Sequence, residues 1–402
     1  MKSERIILIV LAAAMFTHIM DFMIIMPLGP VLMRIFDIGS KEFSIIVSCY
    51  SFSAFFSGIV ASFFIDRFDR KKVFILTYLG FTIGTIACGL APDFYTLLIS
   101  RSLTGLFGGV VGAQALSIVS DLIPLERRSA GIGFVMASFS LASVFGVPFG
   151  LFLSTRFSWH FPFLFLGSVG IVIIIVAYFV LPPLKGHLEE VLKRKPLESF
   201  MRVITRKNPQ MGFLFTGLLM LGHFSIIPFI AAYMVGNVGF SESDLTYIYL
   251  VGGGLTIFSS PLIGRLADKY GRLKIFNIFG LLVFIPVIWI TNMPQSPLWL
   301  ALISTGMFFV FANGRMIPST TMVTSIIKPE NRGAFMSMRS SVQQLFSGIA
   351  ALIAGLIVSE VPSTITEGSI ALVNYQYVGY FAITFSILAI LVAQRLKSVK
   401  GS

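Results

Sequence analysis

Apolar residues in this chain come in long unbroken runs, with polar residues confined to the short stretches between them. Twelve runs can be marked, at about 6–30, 43–65, 73–91, 95–120, 130–153, 161–181, 211–235, 245–263, 274–291, 298–324, 334–358 and 373–394. Each is roughly 20 residues long, enough for a helix to cross about 30 Å of hydrocarbon. That layer holds no water, so a spanning segment must satisfy its own backbone hydrogen bonds, as a helix does. The residue-by-residue alternation of a membrane β-barrel is missing. The pattern predicts an all-α integral membrane protein with 12 transmembrane helices.

Only one polar stretch is long, "PPLKGHLEEVLKRKPLESFMRVITRKNPQ" at 182–210. Its prolines and seven Lys or Arg mark a linker, expected to lay a short amphipathic helix on an anionic leaflet. It divides the chain into six helices at 1–181 and six at 211–402. The first run is read as a retained helix. It exceeds the apolar core of a secretory signal, carries an acid, and lacks a small-residue cleavage pattern.

Composition agrees with a membrane solvent: 56% of residues are hydrophobic and 12% charged, where soluble domains carry about 25%. The net charge of +12 is mostly a topology signal. With a cytoplasmic N-terminus, 24 of the 30 Lys and Arg fall in cytoplasmic segments. The remainder are Arg34, Lys41 and Arg156 outside, and Arg101, Arg315 and Arg339 within helices. This orientation places both termini in the cytoplasm, and the expected location is a bacterial cytoplasmic (inner) membrane. Trp159, Trp289 and Trp299 fall at outer helix ends, where an aromatic belt is expected. The basic residues are spread over seven segments, so no nucleic-acid partner is expected. Cys49 and Cys88 fall within the second and third helices and suggest neither a disulfide framework nor a metal site.

The two halves repeat. "SFFIDRFDRKK" (Ser62–Lys72) follows the second helix and "GRLADKYGRLK" (Gly264–Lys274) follows the eighth, with Asp66 on Asp268 and Arg70 on Arg272. "PLERRSAG" (Pro124–Gly131) faces "KPENRGAF" (Lys328–Phe335), with Glu126 on Glu330 and Arg128 on Arg332. At this point the chain resembles the major facilitator superfamily. "GRLADKYGRLK" is similar to the family's loop between the second and third helices of a half. The first copy departs from that pattern, with Ser62 and Asp69 where the loop has glycines. "RSLTG" (Arg101–Gly105) resembles the family's fourth-helix motif, and "FGVPFGLFLSTRFSWHFPF" (Phe145–Phe163) resembles the fifth helix of its drug and sugar exporters. Val147 separates Gly146 from Pro148, so the strict antiporter order is absent. The resemblance implies two pseudo-symmetric six-helix bundles, the major facilitator fold.

Ionisable side chains inside a membrane are functional candidates. Asp21 lies roughly 22 Å into the first helix and Arg101 roughly 10 Å into the fourth from the other side, so their heights nearly coincide. A carboxylate facing a guanidinium there would hold its proton according to their separation, which is a proton switch. The alternative is a static ion pair fixing two helices. His18, one turn before Asp21, could relay protons, since His titrates near neutrality, or could be a neutral packed residue.

Arg315 sits near the middle of the tenth helix in "FANGRMIP", with Asn313 beside it and no acid in any second-half helix interior. It could anchor an anionic substrate group, or bond backbone carbonyls near the kink expected at Pro318. Arg339 in the eleventh helix is expected to snorkel toward the cytoplasm. With His223, Gln343 and Gln114, these residues form the candidate substrate set. Asp66, Arg70 and Asp121 in the first half, and Gly264, Asp268, Gly271 and Arg272 in the second, are gating candidates by the resemblance. Asp121 has Ser325 as its counterpart, so the second cluster is expected to be weaker.

No G-x-x-x-x-G-K-[ST] loop occurs, so ATP-driven pumping is not expected. No cofactor and no enzymatic activity are expected, since the chain carries no metal-ligand cluster and no nucleophile–base arrangement. The leading reading is a monomeric secondary active transporter in the lipid bilayer, exporting small amphipathic or polar compounds in exchange for protons by alternating access. A sugar or metabolite facilitator, or a lipid flippase, of the same fold is the alternative. A membrane receptor or enzyme is the reading from a different class.

Overall fold

The structure, a computed structural model, describes residues 2–184, 204–327, 332–366 and 369–396. It holds 12 helices long and apolar enough to cross a membrane. They are α1 (Glu4–Ile24), α2 (Ser40–Phe63), α3 (Arg70–Gly89), α4 (Phe94–Leu122), α5 (Ala130–Arg156) and α6 (Phe161–Val180). The second set is α7 (Lys207–Val238), α8 (Glu242–Tyr270), α9 (Arg272–Thr291), α10 (Leu298–Ser325), α11 (Phe335–Ile357) and α12 (Tyr375–Ala393). All twelve expected runs are found. The amphipathic helix expected in the linker lies outside the described residues, as do Glu330 and the side chains of Glu126 and Arg332.

The first and seventh runs are not continuous helices. Proline has no N–H and its ring clashes with the carbonyl four residues earlier. Pro27 and Pro228 impose this in the last third of their runs. The first helix ends at Ile24, and the chain turns before a short helix, Gly29–Ile35. Within α7 one helix ends at Phe224 and the next begins at Ile227. The two breaks fall at matching points of the repeat.

The elements fall into two compact units, Met1–Ile24 with Cys49–Ser199, and Ile25–Ser48 with Phe200–Ser402. The core of the first includes Leu11, Phe74, Tyr78, Phe81, Val111 and Ile118. The core of the second is built around Phe215, Leu219, Phe276, Val323 and Phe335. Large apolar side chains such as Phe56, Leu76, Phe179, Phe258 and Leu391 are exposed on helix surfaces, as lipid contact requires. Trp299 is 60% exposed, but Trp159 is 4% exposed and packs on His160 and Phe163. Trp159 is therefore not a belt residue.

In the second unit a hairpin, β1 (Ser359–Pro362) and β2 (Ile370–Val373), joins α11 to α12. Asn237 donates to Leu372 O and accepts from Leu372 N, and Ser363 Oγ donates to Gly236 O. Glu360 accepts from the backbone N–H and the hydroxyl of Ser40. Arg34 and Glu242 pair at 2.7 Å in the same unit.

The two copies of the repeated loop reach the next helix differently. Gly271 has φ +97°, a conformation open to glycine and strained for other residues. Asp69, in its place in the first half, has φ −58° and caps α3. Its Oδ1 accepts from Lys71 N at 2.9 Å and from Leu184 N at 3.0 Å, and Arg70 N donates to Leu184 O at 3.3 Å. Asp69 thus departs from the loop pattern and gains a cap and a tie to the chain after α6. Removing an N-cap acceptor costs about 0.5–2 kcal/mol. Asp69→Ala should lower the thermal midpoint in detergent by several degrees, and Asp69→Asn, which keeps an acceptor, should lose less.

Candidate functional site

Each helix break frees backbone carbonyls. The last four carbonyls of a helix lack intrahelical donors, and inside a membrane water does not replace them. Asp21 and Gly222 each lie within the last four residues before a break. Each of their carbonyls accepts from an arginine of another helix. Arg101 Nη1 on α4 donates to Asp21 O at 3.2 Å, and Arg315 Nη2 on α10 donates to Gly222 O at 3.1 Å. In the second unit Tyr375 OH also donates to Ile226 O at 2.8 Å, inside the break.

In the first unit the arginine also meets the acid. Arg101 Nη1 lies 2.7 Å from Asp21 Oδ2, with both side chains 0% exposed. Thr85 Oγ1 donates to Asp21 Oδ1 at 3.1 Å. The guanidinium lies over the Tyr50 ring, 4.7 Å from its centroid. Tyr50 OH is 3.2 Å from His18 Nδ1. Next to this cluster the hydroxyls of Thr17 and Tyr78 lie 2.7 Å apart. Arg101 Nε and Nη2 are buried with no partner among the described residues. Asp21, Arg101 and His18 are therefore brought together, as the sequence predicts.

The spacing of "RSLTG" has a physical reason. Gly105 is one turn after Arg101, and a side chain there would run into the backbone carbonyl of Tyr50. Gly108 and Gly109 are closed off in the same way by the Tyr50 hydroxyl and the Ala54 carbonyl. The glycines let α2 approach α4 closely enough to set the Tyr50 ring under Arg101. Sequence reasoning missed Tyr50 and Thr85. A signal was present for the second, because Tyr78, Thr82 and Thr85 recur at helical spacing on a buried face of α3.

The second unit holds a different arrangement. Arg315 is 1% exposed. Its Nη1 donates to Ser386 Oγ at 2.6 Å, and Ser386 Oγ donates to Ala382 O at 2.7 Å. Arg315 therefore ties α7, α10 and α12 together, and its Nε has no partner among the described residues. His223 stacks on Phe308 with centroids 6.2 Å apart, and its Nδ1 is also buried and unpartnered. Asn313 and Gln343 are half-buried, and Gln114 in the first unit is buried with Oε1 unpartnered. Arg339 does not snorkel. It is 8% exposed, and its Nε donates to Thr216 Oγ1 on α7 at 3.3 Å. A buried hydroxyl within reach replaces the path to water.

The gating candidates are unequal in the two halves. Arg70 Nε and Asp121 Oδ2 pair at 2.7 Å, with side chains 13% and 27% exposed. The side chain of Asp66 lies outside the described residues. Asp268 and Arg272 are exposed, and among the described residues neither enters an ion pair. Gly264 has open space where a Cβ would sit, in keeping with Ser62 at the matching place in the first half.

A family model described as Major Facilitator Superfamily matches residues 11–317 and 212–400. The uncharacterized MFS-type transporter YceJ of Bacillus subtilis (strain 168) is 23% identical over 346 residues, 86% of this chain and 87% of that protein. Multidrug resistance protein 1 of the same organism is 21% identical over 364 residues, 89% of this chain and 91% of that protein. Among solved structures, a D-xylose-proton symporter aligns with TM-score 0.79 at 14% identity, over 99% of both chains.

Ser386 is the side-chain acceptor for a fully buried guanidinium. Leaving a buried donor unmatched costs about 1–3 kcal/mol, more for a charged group. Ser386→Ala should lower the unfolding free energy in detergent by about that amount, measured by denaturant titration. An unchanged midpoint would remove the Arg315–Ser386 bond as a stabilising tie between α10 and α12.

Proposed function

The chain belongs to the major facilitator superfamily, and from that premise we propose that it is a proton-coupled exporter of small amphipathic or polar compounds working by alternating access. It is a multi-pass membrane transporter and not an enzyme. The observation that carries the proposal is the Asp21–Arg101 pair, fully buried next to a broken helix. A paired carboxylate favours its charged form while the cation is close, and its environment changes when the partner moves. Ionisable groups inside a membrane are candidates for proton relays. His18, half-buried and bonded to Tyr50, is the proposed access group. Export is favoured by relatives named for multidrug resistance. A proton-coupled importer is the second reading, favoured by the fold match to the xylose symporter. Termini in the cytoplasm, a bacterial inner membrane and a monomeric state complete the proposal.

Arg315, His223, Asn313, Gln114, Gln343 and Arg339 are the proposed substrate contacts, with Arg315 Nε and His223 Nδ1 the groups with hydrogen-bonding capacity to spare among the described residues. Arg70 and Asp121, with Asp66, are the proposed conformational lock of the first half, and Gly264, Asp268, Gly271 and Arg272, at the junction of α8 and α9, are its weaker counterpart.

In proteoliposomes under an imposed pH gradient, a panel of anionic, neutral and cationic dyes should include at least one that is moved uphill with counterflow of protons. Asp21→Asn should abolish uphill movement and retain downhill exchange. Persistent accumulation in Asp21→Asn would overturn the proton assignment, and proton flux in the same direction as the dye would favour import.

The same panel tests the second-half contacts. Arg315→Gln should weaken anionic dyes roughly tenfold or more, the range of a charge-assisted bidentate contact, and neutral dyes much less. Equal loss for all classes would leave Arg315 a helix tie alone.

A further inference from the structure

The proton-site reading leaves a physical problem. When Asp21 takes a proton from solvent, an O–H bond forms on a carboxyl oxygen and the ion pair loses its negative member. Arg101 stays charged, because a guanidinium is not deprotonated in proteins. Its side chain is 0% exposed, and a buried cation without compensation is strongly unfavourable. Arg101 Nη1 keeps its bond to Asp21 O at 3.2 Å, but one carbonyl dipole does not replace a full negative charge, so whatever else lies against the guanidinium decides how the cation is held while Asp21 is neutral.

The described titratable groups that feel Asp21 or Arg101 can be named element by element. They are His18 on α1, Cys49 and Tyr50 on α2, and Cys88 on α3, together with the pair itself. None of them is a second carboxylate. Thr85 faces the carboxylate rather than the guanidinium. The Tyr50 ring lies against the guanidinium, 4.7 Å from centroid to Cζ, and Tyr50 is itself 0% exposed. The negative face of an aromatic ring attracts a cation, and more strongly where water is excluded. The site is also built for this ring. Gly105 and Gly108 make room for the backbone and hydroxyl of Tyr50, and His18 Nδ1 lies 3.2 Å from that hydroxyl and fixes the ring's far end.

We propose that Tyr50 is a positioning residue for the coupled proton, its ring face holding the Arg101 guanidinium while Asp21 is protonated. This rests on the reading of Asp21 as the proton carrier. The ring matters least when the carboxylate neutralises Arg101 and most when that charge is gone. Loss of the ring face therefore penalises the protonated state, and more protons are needed to populate it. The hydroxyl matters less than the ring.

The test needs no transported compound, because the proton is the probe. Purified protein in liposomes is titrated with acid while the infrared carbonyl band of protonated carboxyls is followed. The Asp21 contribution is the part lost in Asp21→Asn. Tyr50→Phe should titrate close to wild type. Tyr50→Leu should need roughly tenfold more protons for half-protonation, a mid-range cation–π contribution. Fluorinated phenylalanines at position 50 drain the ring face with little change in shape and guard against misfolding of Tyr50→Leu. Each added fluorine should raise the proton concentration required. A titration unmoved by fluorination, or Tyr50→Phe shifted as far as Tyr50→Leu, would overturn the proposal. A wild-type protein with no Asp21 band removes the proton-site reading, and this inference with it.

Discussion

Backbone carbonyls set free in a water-poor interior are the constraint around which the rest of this molecule is arranged. Pro27 and Pro228 stop two transmembrane helices partway across, and each stop leaves carbonyls without intrahelical donors. Arg101 and Arg315 each give one donor to such a carbonyl. An arginine inside a membrane would otherwise be a liability. Here the liability of the charge and the need of the backbone answer each other. The arginines lie on α4 and α10, so each broken helix is tied to a neighbour of its own unit at the point where it breaks.

The same clasp is completed differently in the two halves. In the first, the residue that lends its carbonyl also lends a carboxylate, and Arg101 becomes half of a neutral pair with Thr85 on one side and Tyr50 beneath. In the second, the matching residue by the repeat offset is His223. Arg315 meets a carbonyl and the Ser386 hydroxyl there, and among the described residues no acid pairs with its charge. A shared architectural need thus leaves one half with a paired carboxylate and the other with a guanidinium that meets only neutral acceptors among the described residues. That division of labour fits coupling in one unit and recognition in the other.

Departures from the repeat follow the same logic of local satisfaction. Gly271 supplies a positive φ, whereas Asp69 reaches the next helix with negative φ and uses its carboxylate to cap it and to hold Leu184. The ion pair Arg70–Asp121 has no second-half equivalent among the described residues, because Ser325 stands where the acid would be. The halves are therefore alike in path and unlike in polar detail.

The sequence by itself determined the solvent, the count of spanning helices and the doubled plan, because each is a matter of run length, composition and repetition. It also determined that Asp21 and Arg101 could meet, since a fixed rise per residue puts both at one depth. Only the tertiary structure decided what surrounds them. Tyr50 is one aromatic residue among many in the sequence; its place under Arg101 depends on glycines of another helix that let two backbones approach. Arg339 is buried against Thr216 rather than extended to the surface, because a hydroxyl from a distant segment was nearer than water, and Trp159 is packed on His160 and Phe163 rather than set in a belt. The carbonyls that Arg101 and Arg315 serve were equally hidden. A proline announces a break, but which side chain comes to fill it depends on how the helices pack.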